Sequence, residues 1–260
     1  MASVTDKISP GIKNLGSDIS RLFALIYKSA IPNVCLACDR IVERQGGCCA
    51  QCWSQLQFIS SPMCPILGSP FSVDMGNNIH CAEAIASPPP FERLRAAVIY
   101  DDLARRIISG IKYADQTNLV PWIADWMTVA GKELLNDADM VVPVPLHSRR
   151  LLARRFNQSA EFARCIARVC DVEYAPLILK RRKATKQQVG LTEQERERNV
   201  SGAFAVPIDI KPLIKQKRIL LVDDVYTTGA TIRAATRTLL RAGADKVDVL
   251  VFAKVETQAA

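Results

Sequence analysis

Residues 218–231 read Arg218-Ile-Leu-Leu-Val-Asp-Asp-Val-Tyr-Thr-Thr-Gly-Ala-Thr231, and this stretch restricts the fold more tightly than any other. Ile219 to Val222 is a continuous apolar run, the composition of a parallel strand covered on both faces. Two adjacent carboxylates, Asp223 and Asp224, are expected to end it. From Thr231 the pattern changes, with Ile232, Ala235, Thr236, Leu239 and Leu240 at helical spacing. Gly243 stands where a left-handed residue would close that helix, and a second apolar run, Val247 to Phe252, follows. Strand, loop, helix and strand in this order place the Thr-Thr-Gly-Ala-Thr turn at the carboxyl end of a strand, where a helix opens.

The first N–H groups of a helix have no partner within it, and the helix dipole adds partial positive charge, so this turn suits an anion. Gly229 permits close backbone approach, and the hydroxyls of Thr227, Thr228 and Thr231 can bond phosphate oxygens. Asp223 and Asp224 repel that same phosphate; they suit sugar hydroxyls or a hydrated Mg²⁺ beside it. The ligand implied is a sugar phosphate. A P-loop is excluded for want of Gly-Lys-Ser/Thr, and no Gly-x-Gly-x-x-Gly fingerprint is present.

With 260 residues, 49% of them hydrophobic, the chain can build one substantial core and a small appended module. A net charge of +8 favours polyanionic partners but says nothing of fold. The best N-terminal apolar run, Leu22 to Tyr27, stops at Lys28, so no segment is expected to cross a bilayer. Nor is a secretory leader pattern present, and the reading is of a cytoplasmic protein. Cysteine usage agrees: the count of nine is odd, and five crowd into residues 35–52, which fits metal binding in a reducing compartment.

Cys35-Leu-Ala-Cys38 and Cys49-Ala-Gln-Cys52 form two Cys-x-x-Cys knuckles separated by ten residues. Such knuckles can wrap four thiolates around one structural Zn²⁺. Cys48 could replace Cys49, although only Cys49 completes the knuckle with Cys52. A second pair of turns, Cys64-Pro-Ile-Leu67 and Cys81-Ala-Glu-Ala84, carries Leu67 and Ala84 where sulfurs would be needed. One zinc is therefore expected, with His80 the only obvious helper for a second.

Leu15 to Ile31 carries one apolar face, with Ser17 or Asp18 as possible caps, and reads as a helix packed on its own protein. Ser87-Pro-Pro-Pro90 is a stiff break and marks a domain boundary. Beyond it, Arg95 to Tyr100 reads as a strand, Leu103 to Ile111 and Leu119 to Leu135 as helices, and Met140 to Pro145 as a buried strand stopped by prolines. That strand delivers His147, Arg149 and Arg150 into a loop, followed by Arg155, Phe156, Asn157, Gln158 and Ser159 at a helix start. Guanidinium groups at a strand's carboxyl end suit pyrophosphate. The basic, polar run Lys180 to Leu191, with Gln188 in it and Arg196 beyond it, reads as a mobile excursion that could close over a ligand, returning through the strand Ser201 to Val206.

Val222-Asp-Asp-Val-Tyr-Thr-Thr-Gly-Ala-Thr231 resembles the phosphoribosyl-pyrophosphate (PRPP) motif of type I phosphoribosyltransferases. The Cys knuckles, Val142-Pro-Val-Pro-Leu146, Arg155-Phe-Asn-Gln-Ser159, Gly202-Ala-Phe204 and this motif together are similar to the ComF family, across about Pro32 to Lys254. Where that family writes Arg-Gly-Phe-Asn-Gln, this chain has Arg155 in place of glycine. The resemblance implies an α/β fold: a type I phosphoribosyltransferase-like parallel sheet with helices on both faces, plus an N-terminal zinc-ribbon-like module. It divides the chain into a tail and amphipathic helix (1–31), a cysteine-knuckle module (32–88) and a phosphoribosyltransferase-like domain (89–260).

The same resemblance implies Mg²⁺-dependent PRPP binding, with Asp223 and Asp224 as catalytic candidates. Val225, Tyr226, Thr227, Thr228, Gly229, Ala230 and Thr231 hold the 5′-phosphate. His147, Arg149, Arg150, Arg155, Asn157, Gln158, Gln188 and Arg196 are pyrophosphate or loop candidates. It also implies a link to DNA uptake and the competence machinery, with the acceptor unidentified. The alternative is a non-catalytic protein that senses PRPP or binds single-stranded DNA through the same pocket, supported by the basic loops at 149–155 and 180–186.

Overall fold

The computed structural model describes residues 33–35, 37–38, 40–43, 47–74, 76, 79–113, 119–148, 151–152, 156–184 and 192–256. The expected helix over Leu15 to Ile31, and Arg149, Arg150, Arg155 and Gln188, lie outside them. Two short helices come first, α1 (Ala50–Trp53) and α2 (Ala82–Ala86). There follow β1 (Leu94–Ile99), α3 (Asp102–Tyr113), α4 (Val120–Ala130), α5 (Lys132–Asp137), β2 (Met140–Pro143), α6 (Gln158–Cys170) and β3 (Glu173–Tyr174). An excursion holds β4 (Lys180–Arg181), α7 (Glu193–Val200) and β5 (Phe204–Ala205), and after it come α8 (Lys211–Ile214), β6 (Arg218–Tyr226), α9 (Ala230–Arg241) and β7 (Lys246–Lys254).

The strands β1, β7, β6, β2 and β3 lie in that order in one sheet whose pairings are all parallel, while β4 and β5 pair antiparallel apart from it. Period-two alternation splits the core in two. Ile219 and Leu221 of β6 pack with Val249 and Val251 of β7 and with Ile232, Ala235 and Leu239 of α9. Leu220 and Val222 face the other way, against Leu250, Phe252, Ile107 of α3, Ile123 of α4 and Phe162 of α6. Burying each such side chain contributes about 1.5–3 kcal/mol, against about 0–1 for an exposed ion pair, so the two-sided apolar strand is what holds this sheet together.

Strands β2 and β6 are neighbours, yet the chain leaves β2 for β3 on one side and leaves β6 for β7 on the other. Their crossover helices α6 and α9 pack on opposite faces, which makes the gap between β2 and β6 a topological switch point. In open α/β sheets that crevice, beyond the carboxyl ends of the strands, is where ligands bind.

Three elements differ from the sequence reading. The helix expected over Leu119 to Leu135 is divided at Gly131, where a Cβ would come within 2.8 Å of the Leu250 methyls and push that side chain aside. Strand β6 runs on through Asp223 and Asp224 to Tyr226, because β7 keeps pairing with it as far as Tyr226 opposite Lys254. The return strand expected over Ser201 to Val206 is the short β5, and the unexpected element is α7 just before it, opened by a capping box in which the Thr192 hydroxyl and the Glu195 carboxylate satisfy each other's backbone N–H groups.

The N-terminal module is built into the sheet. Ile59 N–H donates to the Ala97 carbonyl at 3.0 Å and Ile99 N–H to that of Gln57 at 2.9 Å, so residues 57–59 cover the otherwise open edge of β1. Cys35, Cys52 and Leu56 enter the core on the α6 side, and Cys64, Leu67, Ala84 and Phe91 the core on the α9 side.

At the amino ends of the strands, Asp248 is 1% exposed and accepts from Arg93 Nε at 3.0 Å, Arg93 Nη2 at 2.9 Å and Arg218 Nε at 2.8 Å, tying β1, β6 and β7 together. Burial alone would raise its pKa, but the two guanidinium groups outweigh it and hold the carboxyl below the usual carboxylate range. Removing this carboxylate leaves two arginines without their shared partner. Asp248→Ala should cost about 3–5 kcal/mol in urea denaturation. Because the native pKa is depressed, the Asp248 contribution is present above about pH 4 and is lost as pH falls through the native value. The stability difference between parent and variant should therefore shrink in acid, and a constant difference down to pH 2 would contradict the assignment.

Candidate functional site

Past Val222, β6 is paired on one side only. Its last rung with β2 is Val144 N–H to the Val222 carbonyl at 2.9 Å. By the spacing of a parallel ladder, the next rung would run from Asp224 N–H to the Val144 carbonyl. Side chains take both groups instead: Val144 O accepts from Asn157 Nδ2 at 3.0 Å, and Asp224 N–H donates to Asp223 Oδ1 at 2.9 Å. Ser159 Oγ, from the first turn of α6, donates to the same Asp223 oxygen at 2.8 Å. Asp223 is thus pinned by α6 on one side and by its own strand's backbone on the other. Both carboxyl-bearing residues remain partly exposed.

The chain then turns through Thr227, Thr228 and Gly229 into α9. Gly229 has φ +73° and is the N-cap of that helix, with Arg233 N–H bonded back to its carbonyl at 2.8 Å. An added Cβ would meet the Tyr226 ring, with Cζ at 2.7 Å, so both the dihedral and the space demand glycine. Tyr226 itself is 1% exposed, edge-on to Phe91, and burial pushes its hydroxyl up to about 12 while Arg233 pulls the other way. Its side chain is therefore the floor of the turn, and its carbonyl accepts from Val255 N–H at 2.9 Å. The Thr228 hydroxyl is buried and has no hydrogen-bond partner among the described residues, while Thr227 is exposed.

Arg196, on α7, reaches over this turn to 3.5 Å from the Thr227 hydroxyl. The excursion after β4 thus carries a guanidinium to the turn. Asn157 and Gln158 are placed differently: Asn157 is tied to Val144, and Gln158 is 2% exposed in the first turn of α6. Asn157 Oδ1 and Gln158 Nε2 are buried without a hydrogen-bond partner among the described residues. His147 is partly exposed in the loop after β2. Three residues escaped the sequence reading, namely Ser159 as the partner of Asp223, Arg233, and Lys254. Arg233 donates to the Pro88 and Ser87 carbonyls at 3.1 and 2.8 Å and ties α9 to the N-terminal module. Lys254, fully buried, donates to Ser69 Oγ at 2.7 Å and Glu256 Oε1 at 3.0 Å. A lysine closing the apolar run Val247 to Ala253 was the available signal.

The second cluster is Cys35, Cys38, Cys49 and Cys52, whose sulfurs all lie within 4.8 Å of one another. Cys38 and Cys49 Sγ are 3.6 Å apart, close to the ~3.8 Å edge of a tetrahedron with 2.3 Å Zn–S bonds. Burial would raise the Cys35 pKa, but backbone N–H groups led by that of Cys49 outweigh it and bring the thiol down to about 6, favouring the thiolate a metal needs. Cys48 is not part of this converging group, so Cys49 rather than Cys48 completes the knuckle with Cys52. The donor set fits a structural zinc.

Gly229→Ala should lower stability by about 1–3 kcal/mol, read from the urea midpoint, because it combines a strained φ with a contact on a buried ring. Gly202→Ala controls for the dihedral alone: Gly202 has φ +62° but open space around it, with its nearest neighbour at 3.5 Å. Equal losses at the two positions would show that Tyr226 does not floor the turn.

Two family models match the chain. Residues 26–85 match the double zinc ribbon domain, and residues 157–259 match the phosphoribosyl transferase domain. Among curated proteins, the chain is 26% identical over 228 residues to "DNA utilization protein YhgH" of Escherichia coli (strain K12), covering 84% of this chain and 96% of that one. It is 26% identical over 215 residues to "Competence protein F" of Haemophilus influenzae, covering 81% and 91%, and 27% identical over 231 residues to "Competence protein ComFC" of Bacillus subtilis (strain 168), covering 81% and 90%. With both its parts matched and these relatives aligned along nine tenths or more of their own length, the chain is similar throughout to the competence-associated ComF proteins, a double zinc ribbon joined to a phosphoribosyltransferase domain.

Proposed function

We propose that the chain binds PRPP with Mg²⁺ at residues 223–231 and acts as a phosphoribosyltransferase in a process linked to DNA uptake. The observation that carries this is the opened end of β6 at the switch point, where a pinned acid pair stands directly before a glycine turn that starts a nine-tenths-buried helix face. The N–H groups of Gly229 to Thr231 and the unpartnered Thr228 hydroxyl would hold the 5′-phosphate. Asp223 and Asp224 would accept from the ribose hydroxyls and fix the sugar while pyrophosphate leaves C1. Mg²⁺ fits the same acid pair, since it takes one or two carboxylates and keeps several waters, and it would neutralise charge on the leaving group. Arg196 adds a protein cation above the turn. The DNA-uptake link rests on the names of the competence and DNA utilization relatives. Among the described residues, no helix is long and apolar enough to cross a membrane, which fits the cytoplasmic place proposed for it.

One observation favours a second reading, single-stranded DNA binding. Trp53, Phe58 and Trp126 form an exposed-edged aromatic cluster with ring centroids 5.2–5.8 Å apart, Trp53 being 51% exposed. Stacking on such rings contributes about 1–3 kcal/mol per base.

Isothermal titration should show PRPP binding in the presence of Mg²⁺, weakened at least tenfold by Asp223→Asn with Asp224→Asn, since hydrogen bonds to charged groups contribute about 1.5–3 kcal/mol each. Absence of binding to the parent chain contradicts the proposal. The second reading fails if single-stranded DNA does not associate even at low salt. Metal analysis should return one zinc per chain, lost in Cys52→Ser, and a value near two would contradict the single site.

A further inference from the structure

The second half of the ribbon keeps the backbone of a metal site without the ligands. Leu67 N–H points at Cys64 Sγ from 3.5 Å and Cys81 N–H from 3.4 Å, the same amide-to-sulfur arrangement by which Cys49 N–H meets Cys35 Sγ at 3.2 Å in the first half. Yet the two remaining ligand positions hold Leu67, fully buried, and Ala84, 3% exposed. His80 is exposed, and among the described residues only the four cysteines of the first half converge as a metal group. Two sulfurs facing hydrocarbon cannot complete a tetrahedron. They can join each other.

The Cys81 backbone N–H lies 3.4 Å from Cys64 Sγ, which brings the two cysteines side by side although they are 17 positions apart in the chain. Cys64 is fully buried and Cys81 partly exposed, so an external disulfide reaches Cys81 first. Burial raises the Cys81 thiol, whereas at Cys64 the N–H groups of Cys81 and Leu67 outweigh burial and hold the thiol below its usual range, so exposure rather than acidity makes Cys81 the first to react and Cys64 the resolving thiolate.

We propose that Cys64 and Cys81 are a reversible dithiol–disulfide pair that takes the structural place of a second zinc. The oxidant is a low-molecular-weight disulfide such as oxidised glutathione. Cys81 thiolate attacks one of its sulfurs, forming a mixed disulfide and releasing one glutathione thiolate. Cys64 thiolate then attacks the Cys81 sulfur, closing the protein disulfide and releasing the second glutathione. In sum, two protein thiols and one glutathione disulfide give one protein disulfide and two glutathione thiols.

The test uses the full zinc-loaded chain, equilibrated in glutathione buffers of rising oxidised fraction, quenched in acid, alkylated and mapped by mass spectrometry. The Cys64–Cys81 cross-linked peptide should be at least tenfold more abundant than any other cysteine pairing and should vanish on return to reduced glutathione. Cys81→Ser should abolish it while keeping one zinc. The proposal is overturned if no such peptide forms at any buffer ratio, or if the parent holds two zincs and Cys64→Ser holds one. Should Cys81→Ser fail to fold, Cys81→Ala, which leaves Cys64 in the same apolar surroundings, supplies the same comparison.

Discussion

The candidate site depends on a single broken rung in a parallel ladder. Strand β6 loses β2 after Val222 while β7 continues to support it, and the two backbone groups freed by the break are taken by Asn157 and by Asp223 itself. An unpaired backbone group at this depth would cost about as much as a lost hydrogen bond, so the substitutes are what make the opening stable. Because the break falls where the crossovers of α6 and α9 diverge, the crevice has a wall on each side. The carboxylates stand in that crevice, and Ser159 holds one of them in place from the α6 side.

The turn beyond it is built around a steric constraint. A buried tyrosine ring lies beneath Gly229, and no side chain fits between them. That packing brings the backbone down onto a buried floor, beside a Thr228 hydroxyl that has no hydrogen-bond partner among the described residues. Negative charge before the turn and partial positive charge at its helix end give the crevice two poles, the polarity on which the proposed sugar-phosphate binding rests. Arg233 and Lys254 fasten the same region to Ser87, Pro88 and Ser69, so the N-terminal module is a structural part of the turn's foundation.

What the sequence disclosed was local. The strand, turn and helix from Ile219 to Leu240 could be read because apolar run, acid pair, glycine and helical spacing lie within one short segment. The four zinc-ligand candidates could be read because their spacing is itself the geometric requirement. Contacts made across the fold could not be read. Ser159 and Asp223 are 64 residues apart, and Arg93 and Asp248 are 155 apart. Nothing in either short stretch announces the partner. The extension of β6 through two aspartates was missed for a related reason, since it depends on the length of β7 rather than on the propensity of the acids. The helix at Glu193–Val200 was legible in principle, for Thr192 and Glu195 form a capping box, but the surrounding charge masked it.

The most direct test is the structure of a crystal soaked with PRPP and Mg²⁺. The 5′-phosphate should lie against the backbone amides of residues 229–231 and the Thr228 hydroxyl, with the ribose hydroxyls on Asp223 and Asp224. A phosphate bound elsewhere on the chain, with this turn left to solvent, would contradict the reading of the broken rung as a ligand crevice.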